Sequence, residues 1–359
     1  MFTIYNKSEW LDILRNNPKF DINVKEKIWE LTRNYSVPIN EITEDDAKKD
    51  FCNLLNLDTS KLIKEDELFS RYEYKWDLGK KYIDSCNVGN KSSNFFHQDL
   101  RFKCDSINFP SPYRTWNTKK FFMTLLSALW TLKVKEVTSE SLRTCIAMRK
   151  YIASQFRPSA AKVIYDYFKA ESVLDFSSGW GDRLSGAMSS SYVKKYVGID
   201  PNIDLYDSYK RQIDLFKNDK DIKMNCYPAE DFLPSYSGDS FDLVFTSPPY
   251  FIVERYSKDN NQSWQRYKKI DKWLSSFLFP VIENCWRLLR KDGYLAINIS
   301  DVYCNHTINR ICDPMNDYIS TLTGSTKVDN INYRMAKRIG SKSDKGGIFV
   351  EPIWVWKKM

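Results

Sequence analysis

Val173-Leu174-Asp175-Phe176-Ser177-Ser178-Gly179-Trp180-Gly181 is the stretch that decides the fold. An apolar run closes on an acid, passes through small residues and two glycines, and leads into a segment of helical character. A strand ending in such a turn sits at the carboxyl edge of a sheet, where parallel α/β folds bind their ligands. Gly179 and Gly181 are read as the places where a ligand approaches the main chain. The G-x-G spacing alone is weak, because it recurs in many nucleotide folds. It also departs from the dinucleotide fingerprint, since Leu184 stands where a third glycine is required.

Working outward, residues 196–200, 224–227, 241–247, 294–300 and 353–356 are further strand candidates, and 159–169 reads as a helix ahead of the turn. Strands alternating with amphipathic helices predict an α/β fold with a largely parallel sheet. Two strand ends carry acids. Asp200 closes Val197-Gly198-Ile199 about 25 residues after the first strand, where an acid can bind ribose hydroxyls; capping of the next helix is an equally open reading. Glu230 and Asp231 follow Tyr227-Pro228-Ala229, and one of them can accept from an adenine amino group. Residues 1 to 145 have helical periodicity instead, with 85–117 read as loops because Asn, Ser, Pro and aromatics crowd there. The expected division is a mainly helical region 1–145 followed by an α/β domain 146–359.

The fourth strand candidate delivers Thr246-Ser247-Pro248-Pro249-Tyr250. An exocyclic amine on a nucleobase is a poor nucleophile because its lone pair is delocalised into the ring. Two acceptors that hold its N–H groups can turn that lone pair toward an electrophilic methyl. Ser247 offers a hydroxyl oxygen and Pro248 a carbonyl oxygen. The two prolines fix φ and stiffen the corner, and Tyr250 offers a π-face for an extruded base. A strand that merely ends in a Pro-Pro turn with a chance aromatic is the alternative.

Composition narrows the classes. The chain has 359 residues, Lys+Arg 54 against Asp+Glu 46, and a net charge of +8, a mild excess that suits a polyanionic partner. Eight cysteines form no C-x-x-C pair and only His97 and His306 are present, so no metal site is expected and free thiols point to a reducing compartment. No signal-peptide apolar region opens the sequence, and the longest apolar stretch, 121–132, is too short to cross a bilayer. A soluble intracellular protein is expected.

Glycine turn, acid, acid and Ser-Pro-Pro-Tyr thus stand in order at four successive strand ends. In that order the chain resembles the S-adenosylmethionine-dependent DNA amino-methyltransferases, and is especially similar to their phage- and virus-type members. The family's glycine-loop motif falls on Asp175 to Gly181, with Ser177 where a Phe is usual. Phe156-Arg157-Pro158 matches an element that helps to close the cofactor pocket, 288–301 resembles the next strand, and 351–357 the closing one. The resemblance runs from about residue 150 to the end, and residues 1–145 lie outside it. It implies a Rossmann-like methyltransferase sheet of seven strands, the last antiparallel. It also implies S-adenosylmethionine as cofactor, held by Phe156, Arg157, Pro158, Asp175, Ser177, Ser178, Gly179, Gly181, Asp200, Glu230, Asp231 and Thr246. Ser247, Pro248, Pro249 and Tyr250 would be the catalytic set. The motif order implies the gamma arrangement, whose recognition region usually follows the core; here recognition would fall to the amino-terminal part or to inserts. A Ser before Pro-Pro-Tyr favours cytosine N4 over adenine N6.

Three basic segments are candidates for DNA contact. One runs from Arg149 and Lys150 through Arg157 to Lys162. The second, favoured because it follows the catalytic turn, holds Arg255, Lys258, Arg266, Lys268, Lys269 and Lys272 among Tyr256, Trp264, Tyr267 and Trp273. Arg255, Trp264, Arg266, Lys268 and Lys269 are its foremost contacts. The third is Arg334 with Lys337, Arg338, Lys342 and Lys345. Each could equally be a solvated charged face. Asp301 and His306 are read as loop residues without a partner rather than a catalytic pair. Competing functions are an RNA exocyclic-amine methyltransferase, a protein-glutamine methyltransferase (for which Asn-Pro-Pro-Tyr is expected), and a retired enzyme serving as a nucleic-acid-binding subunit.

Overall fold

The structure, a computed structural model, describes residues 1–66, 73–107, 109–149, 152–217, 219–238, 240–335 and 347–359. It divides into two compact units, and the division is not a single cut near 145. Residues 1–41 and 99–154 form one; 42–98 and 155–359 form the other. In the first, the helices Lys7–Asn16, Ile22–Thr32, Lys119–Thr131 and Ser139–Arg149 gather around buried Trp10, Ile28, Trp116, Phe122 and Leu125. Asn6 and Glu9 form a capping box on the first of these helices, satisfying backbone donors that its opening turn leaves free.

The second unit is built on a seven-stranded sheet. Its strands are β1 (Ser172–Asp175), β2 (Lys195–Ile199), β3 (Asp221–Asn225), β4 (Phe241–Thr246), β5 (Leu289–Asn298), β6 (Ser325–Lys327) and β7 (Ile353–Lys358). In space they lie in the order β3-β2-β1-β4-β5-β7-β6. The first five pair in parallel, and β7 runs antiparallel to both neighbours. This is the Rossmann-like α/β sheet expected. The strand β6 had no sequence signal, because Ser325-Thr326-Lys327 is short and polar, as an edge strand allows. Every residue of β4 is buried, as a central strand covered on both faces should be. Phe245 packs on Phe156 and Tyr165, while Val244 joins Phe277, Leu278 and Ile282.

Residues 42–98 belong with this sheet because they cover its helices. Leu54 is wholly buried, and a Cβ on Gly89 would stand 2.8 Å from both Leu54 and Pro158. The Lys162 ammonium donates to the Leu55 and Leu57 carbonyls at 3.0 and 3.1 Å. The strand Lys81–Ile83 pairs in parallel with Ile331–Arg334. Within the supposed loop 85–117 lies the helix Asn90–Lys103. Its hidden side mixes Phe96 and Phe102 with polar groups: Ser92 bonds Ser185 at 2.9 Å, Ser93 bonds Asp182, and His97 meets Gln212 at 2.9 Å. Hydrophobic periodicity cannot detect a face buried through hydrogen bonds.

Candidate cofactor and catalytic site

Strand order reverses between β1 and β4, since β2 leaves β1 on one side and β4 lies on the other. At such a switch point the two carboxyl ends open a crevice. Here they are tied together: the Thr246 hydroxyl donates to Asp175 at 2.8 Å. Asp175 is fully buried and also accepts from Arg183 Nε at 2.7 Å, Tyr196 at 2.7 Å and the Ser177 N–H at 3.3 Å. Burial disfavours the Arg183 cation, but Asp175 beside it outweighs this and raises its pKa. Arg183 also donates to the Ser177 carbonyl and lies 5.7 Å over the Phe156 ring. Asp175 and Thr246, expected to face the cofactor, therefore brace the turn from beneath. Arg183, the residue they depend on, went unnoticed because it lies two residues past the motif, in the first turn of the helix Asp182–Ser189.

Gly179 and Gly181 both have left-handed φ, +61° and +70°. Their surroundings differ. A Cβ on Gly179 would meet nothing closer than the Ser177 carbonyl at 3.8 Å, so that face is open to a ligand. On Gly181 it would stand 2.2 Å from Gln212 Oε1 and 2.6 Å from His97 Nε2. The second glycine is thus required by packing, not by ligand approach. Gln212 donates to the Gly181 carbonyl and to Ser185, both at 2.8 Å, and Tyr209 donates to the Gly179 carbonyl. Burial lowers the His97 pKa to about 4, which keeps the ring neutral. Ser178 is buried, with its N–H donating to the Ile199 carbonyl at 2.9 Å, and Ser177 is half-buried.

Asp200, at the end of β2, is partly exposed and accepts from the Gly179 N–H at 2.9 Å and the Asn202 N–H at 2.9 Å. The helix cap is Asn202, which accepts from the Asp204 N–H. Burial pushes the Asp200 carboxyl up to about 6. Past β3, Glu230 and Asp231 open the helix Ala229–Phe232. Both accept from Arg266: Glu230 at 2.8 Å, and Asp231 through two contacts at 2.8 and 3.0 Å. Tyr267 donates to Glu230 at 3.1 Å.

The corner Ser247–Tyr250 leaves β4 beside the glycine turn. Ser247, Pro249 and Tyr250 are half-buried and Pro248 is buried, so the corner is not packed shut. The Pro249 carbonyl accepts from the Phe251 N–H at 2.9 Å. The Tyr250 hydroxyl lies 3.5 Å from the Asn298 carbonyl, at the limit of a hydrogen bond. Phe251 has φ +53°, strained for a side chain of its size, and is held there by burial against Trp273. Nothing in the sequence announced that reversal.

The pocket-closing element is split by burial. Phe156 stacks on Tyr333 at 4.9 Å, and Pro158 opens the helix Pro158–Tyr167 from inside the core. Arg157 is half-buried, its guanidinium 5.5 Å from the Tyr333 ring.

The basic segments are corrected in several places. Lys162 is buried in the contacts above. Trp273 is a core residue, Tyr256 packs edge-on against Trp180, and Arg255 lies over Trp264 at 5.0 Å. Arg266 is engaged by two acids. Lys258, Lys268, Lys269 and Lys272 are exposed. Arg334 pairs with Asp84 at 2.5 Å. Lys150, Lys337, Arg338, Lys342 and Lys345 lie outside the described residues, as does the side chain of Arg149. Asp301, read as unpartnered, accepts from Arg310 and from the Ile311 and Cys312 N–H groups. Among the described residues no cluster of His, Cys, Asp and Glu could hold a metal ion, and no helix is long and apolar enough to cross a membrane.

The sheet, with its glycine turn at the reversal point, defines a Rossmann-like α/β architecture. Residues 241–359 match the family model described as DNA methylase, which supports the resemblance to DNA amino-methyltransferases and S-adenosylmethionine as the cofactor. The matched stretch begins with β4 and leaves the glycine turn outside it. Solved structures that are similar include the N-methyltransferase NodS of Bradyrhizobium japonicum, 12% identical over 53% of this chain and 86% of that one, with a TM-score of 0.34. Another is an O-methyltransferase of Bacillus cereus bound to S-adenosylhomocysteine, 10% identical over 66% and 91%, with a TM-score of 0.38. A third is the O-methyltransferase TomG of Streptomyces achromogenes bound to S-adenosylmethionine, 11% identical over 60% and 84%, with a TM-score of 0.37. None of the curated proteins matches this chain significantly in sequence.

Proposed function

We propose that the chain methylates an exocyclic amine of a flipped DNA base, with cytosine N4 favoured over adenine N6. The observation that carries this reading is the Thr246–Asp175 hydrogen bond of 2.8 Å, which holds the Ser247–Tyr250 corner beside the glycine turn. The fit to the cofactor rests on the open face of Gly179 and on the Asp200 carboxylate next to its N–H. Gly179 would admit the ligand to the main chain, Asp200 would accept from ribose hydroxyls, and Glu230 from the adenine amine. When bound, S-adenosylmethionine supplies a methyl group on a sulfonium.

The corner prepares the nucleophile. Ser247 and the Pro248 carbonyl accept the two amine N–H bonds, which turns the nitrogen lone pair toward the methyl. Tyr250 stacks on the extruded base. With the cofactor held there, the amine nitrogen would take the methyl while the carbon–sulfur electron pair stayed on sulfur, and the proton then lost from the amine would pass to solvent. Lys268 and Lys269, exposed after the corner, are proposed phosphate contacts, with Arg255 and Trp264 beside them. The test is incubation with labelled cofactor and DNA, digestion to nucleosides and mass spectrometry. Label in N4-methylcytosine supports the reading, and label in N6-methyladenine reverses the base preference. Label only in an RNA control, or in neither nucleic acid, rejects it.

A further inference from the structure

The segment after the catalytic corner returns to the cofactor side of the crevice and is fastened there at two points. Tyr256 meets Trp180, the residue between the two glycines, with ring centroids 5.4 Å apart. Ten residues on, Arg266 forks across Glu230 and Asp231 at 2.8–3.0 Å, with Tyr267 on the same Glu230 oxygen. The Glu230 side chain is only 7% exposed, against 52% for Asp231, so the two acids are not equivalent. Asp231 takes the bidentate grip that fixes the guanidinium plane. Glu230 takes one Arg266 contact and the Tyr267 hydroxyl on the same oxygen, which leaves acceptor capacity on the other.

We propose that Arg266 is a positioning residue of the cofactor site: anchored on Asp231, it holds the buried Glu230 carboxylate in place to accept from an adenine amino group. This deepens the reading given above and rests on it. The latch also means that the segment leading to Lys268 and Lys269 is ordered from the cofactor's end of the crevice. The charged and titratable groups against Glu230 among the described residues are Asp231 on its own helix and Arg266 and Tyr267 from the segment. Burial raises the Glu230 pKa and Arg266 opposes that rise, so the cation keeps the acceptor ionised.

The experiment is calorimetric binding of S-adenosylhomocysteine to the full chain, without nucleic acid, across a pH series from about 5 to about 8. Wild type should bind, with affinity falling as Glu230 takes up a proton. R266Q should bind about ten- to a hundredfold more weakly, on the scale of a lost charge-assisted contact, and its loss of affinity should set in at higher pH than in wild type. R266K keeps the charge but cannot fork across both acids, and should fall between them. E230Q should lose the Glu230 step and keep only the one that Asp200, pushed up to about 6, contributes. Binding of R266Q equal to wild type overturns the proposal, as does weakening by the same factor at every pH. If R266Q does not fold, R266K decides: wild-type affinity and pH profile in that variant also overturn it. Absence of binding by wild type fells the cofactor reading itself, and this proposal with it.

Discussion

Removing Arg183 tests whether the Asp175 cluster holds the crevice together. In R183M the methionine fills most of the arginine's volume but leaves a carboxylate that is 0% exposed without its cation. Breaking a buried pair from one side costs about 3–5 kcal/mol. Three donors remain on Asp175, from Tyr196, Thr246 and the Ser177 N–H, and two of these are at 2.7 and 2.8 Å. The loss should therefore fall near the lower limit, about 3 kcal/mol, a factor of roughly 150 in the folding equilibrium. Two compact units make a single unfolding transition unsafe, so amide hydrogen exchange in β1 and β4 is the assay; those protons exchange only when the sheet opens. The double variant R183M/D175N removes the stranded charge and should recover about 1–2 kcal/mol. The Ser177 carbonyl also loses its donor, so S-adenosylhomocysteine binding should weaken even where the fold survives. A loss below about 1 kcal/mol, or no recovery in the double variant, would show that the pair contributes no more than a surface one.

The two glycines should separate. G181A forces a Cβ into Gln212 and His97 and should destabilise by several kcal/mol in denaturant melts, whereas G179A should cost only the left-handed penalty of about 1–2 kcal/mol yet lose cofactor affinity. If G179A binds normally, the ligand does not pass its open face. Tyr250→Ala should abolish most methyl transfer while sparing S-adenosylhomocysteine affinity, and collapse of both would make Tyr250 a packing residue. Ser247→Ala should slow turnover by roughly ten- to a thousandfold, the scale for one positioned group in a preorganised site; unchanged turnover would mean another acceptor orients the amine. Asp200, with its folded pKa raised to about 6, binds its proton more tightly in the native state. Its contribution to stability is therefore fully present below the unfolded value of about 3.9 and is lost as pH rises through about 6. The stability of wild type minus that of D200N should fall over this window by on the order of 1–3 kcal/mol, and a flat difference would show that the carboxylate is not desolvated.

Much of the α/β unit was legible because its signals are local. An apolar strand, a left-handed turn that needs glycine and a proline-stiffened corner each depend on neighbours in sequence, and all four strand ends were placed to within a few residues. What only the tertiary structure decided lies where polar groups meet across long separations. Asp175 and Thr246 were read as facing the cofactor, yet each is the other's partner across 71 residues, and their burial with Arg183 turns a ligand site into a brace. Arg266 was read as a DNA contact because it is basic and lies among aromatics. Its charge is instead taken up by Glu230 and Asp231 some 35 residues earlier. The helix Asn90–Lys103 escaped for the same reason, since Ser92, Ser93 and His97 interrupt the apolar pattern of its buried side beside Phe96 and Phe102. A hydrophobic pattern records which residues leave water. It does not record which polar side chains leave water in pairs, because each looks solvated until the fold supplies its partner.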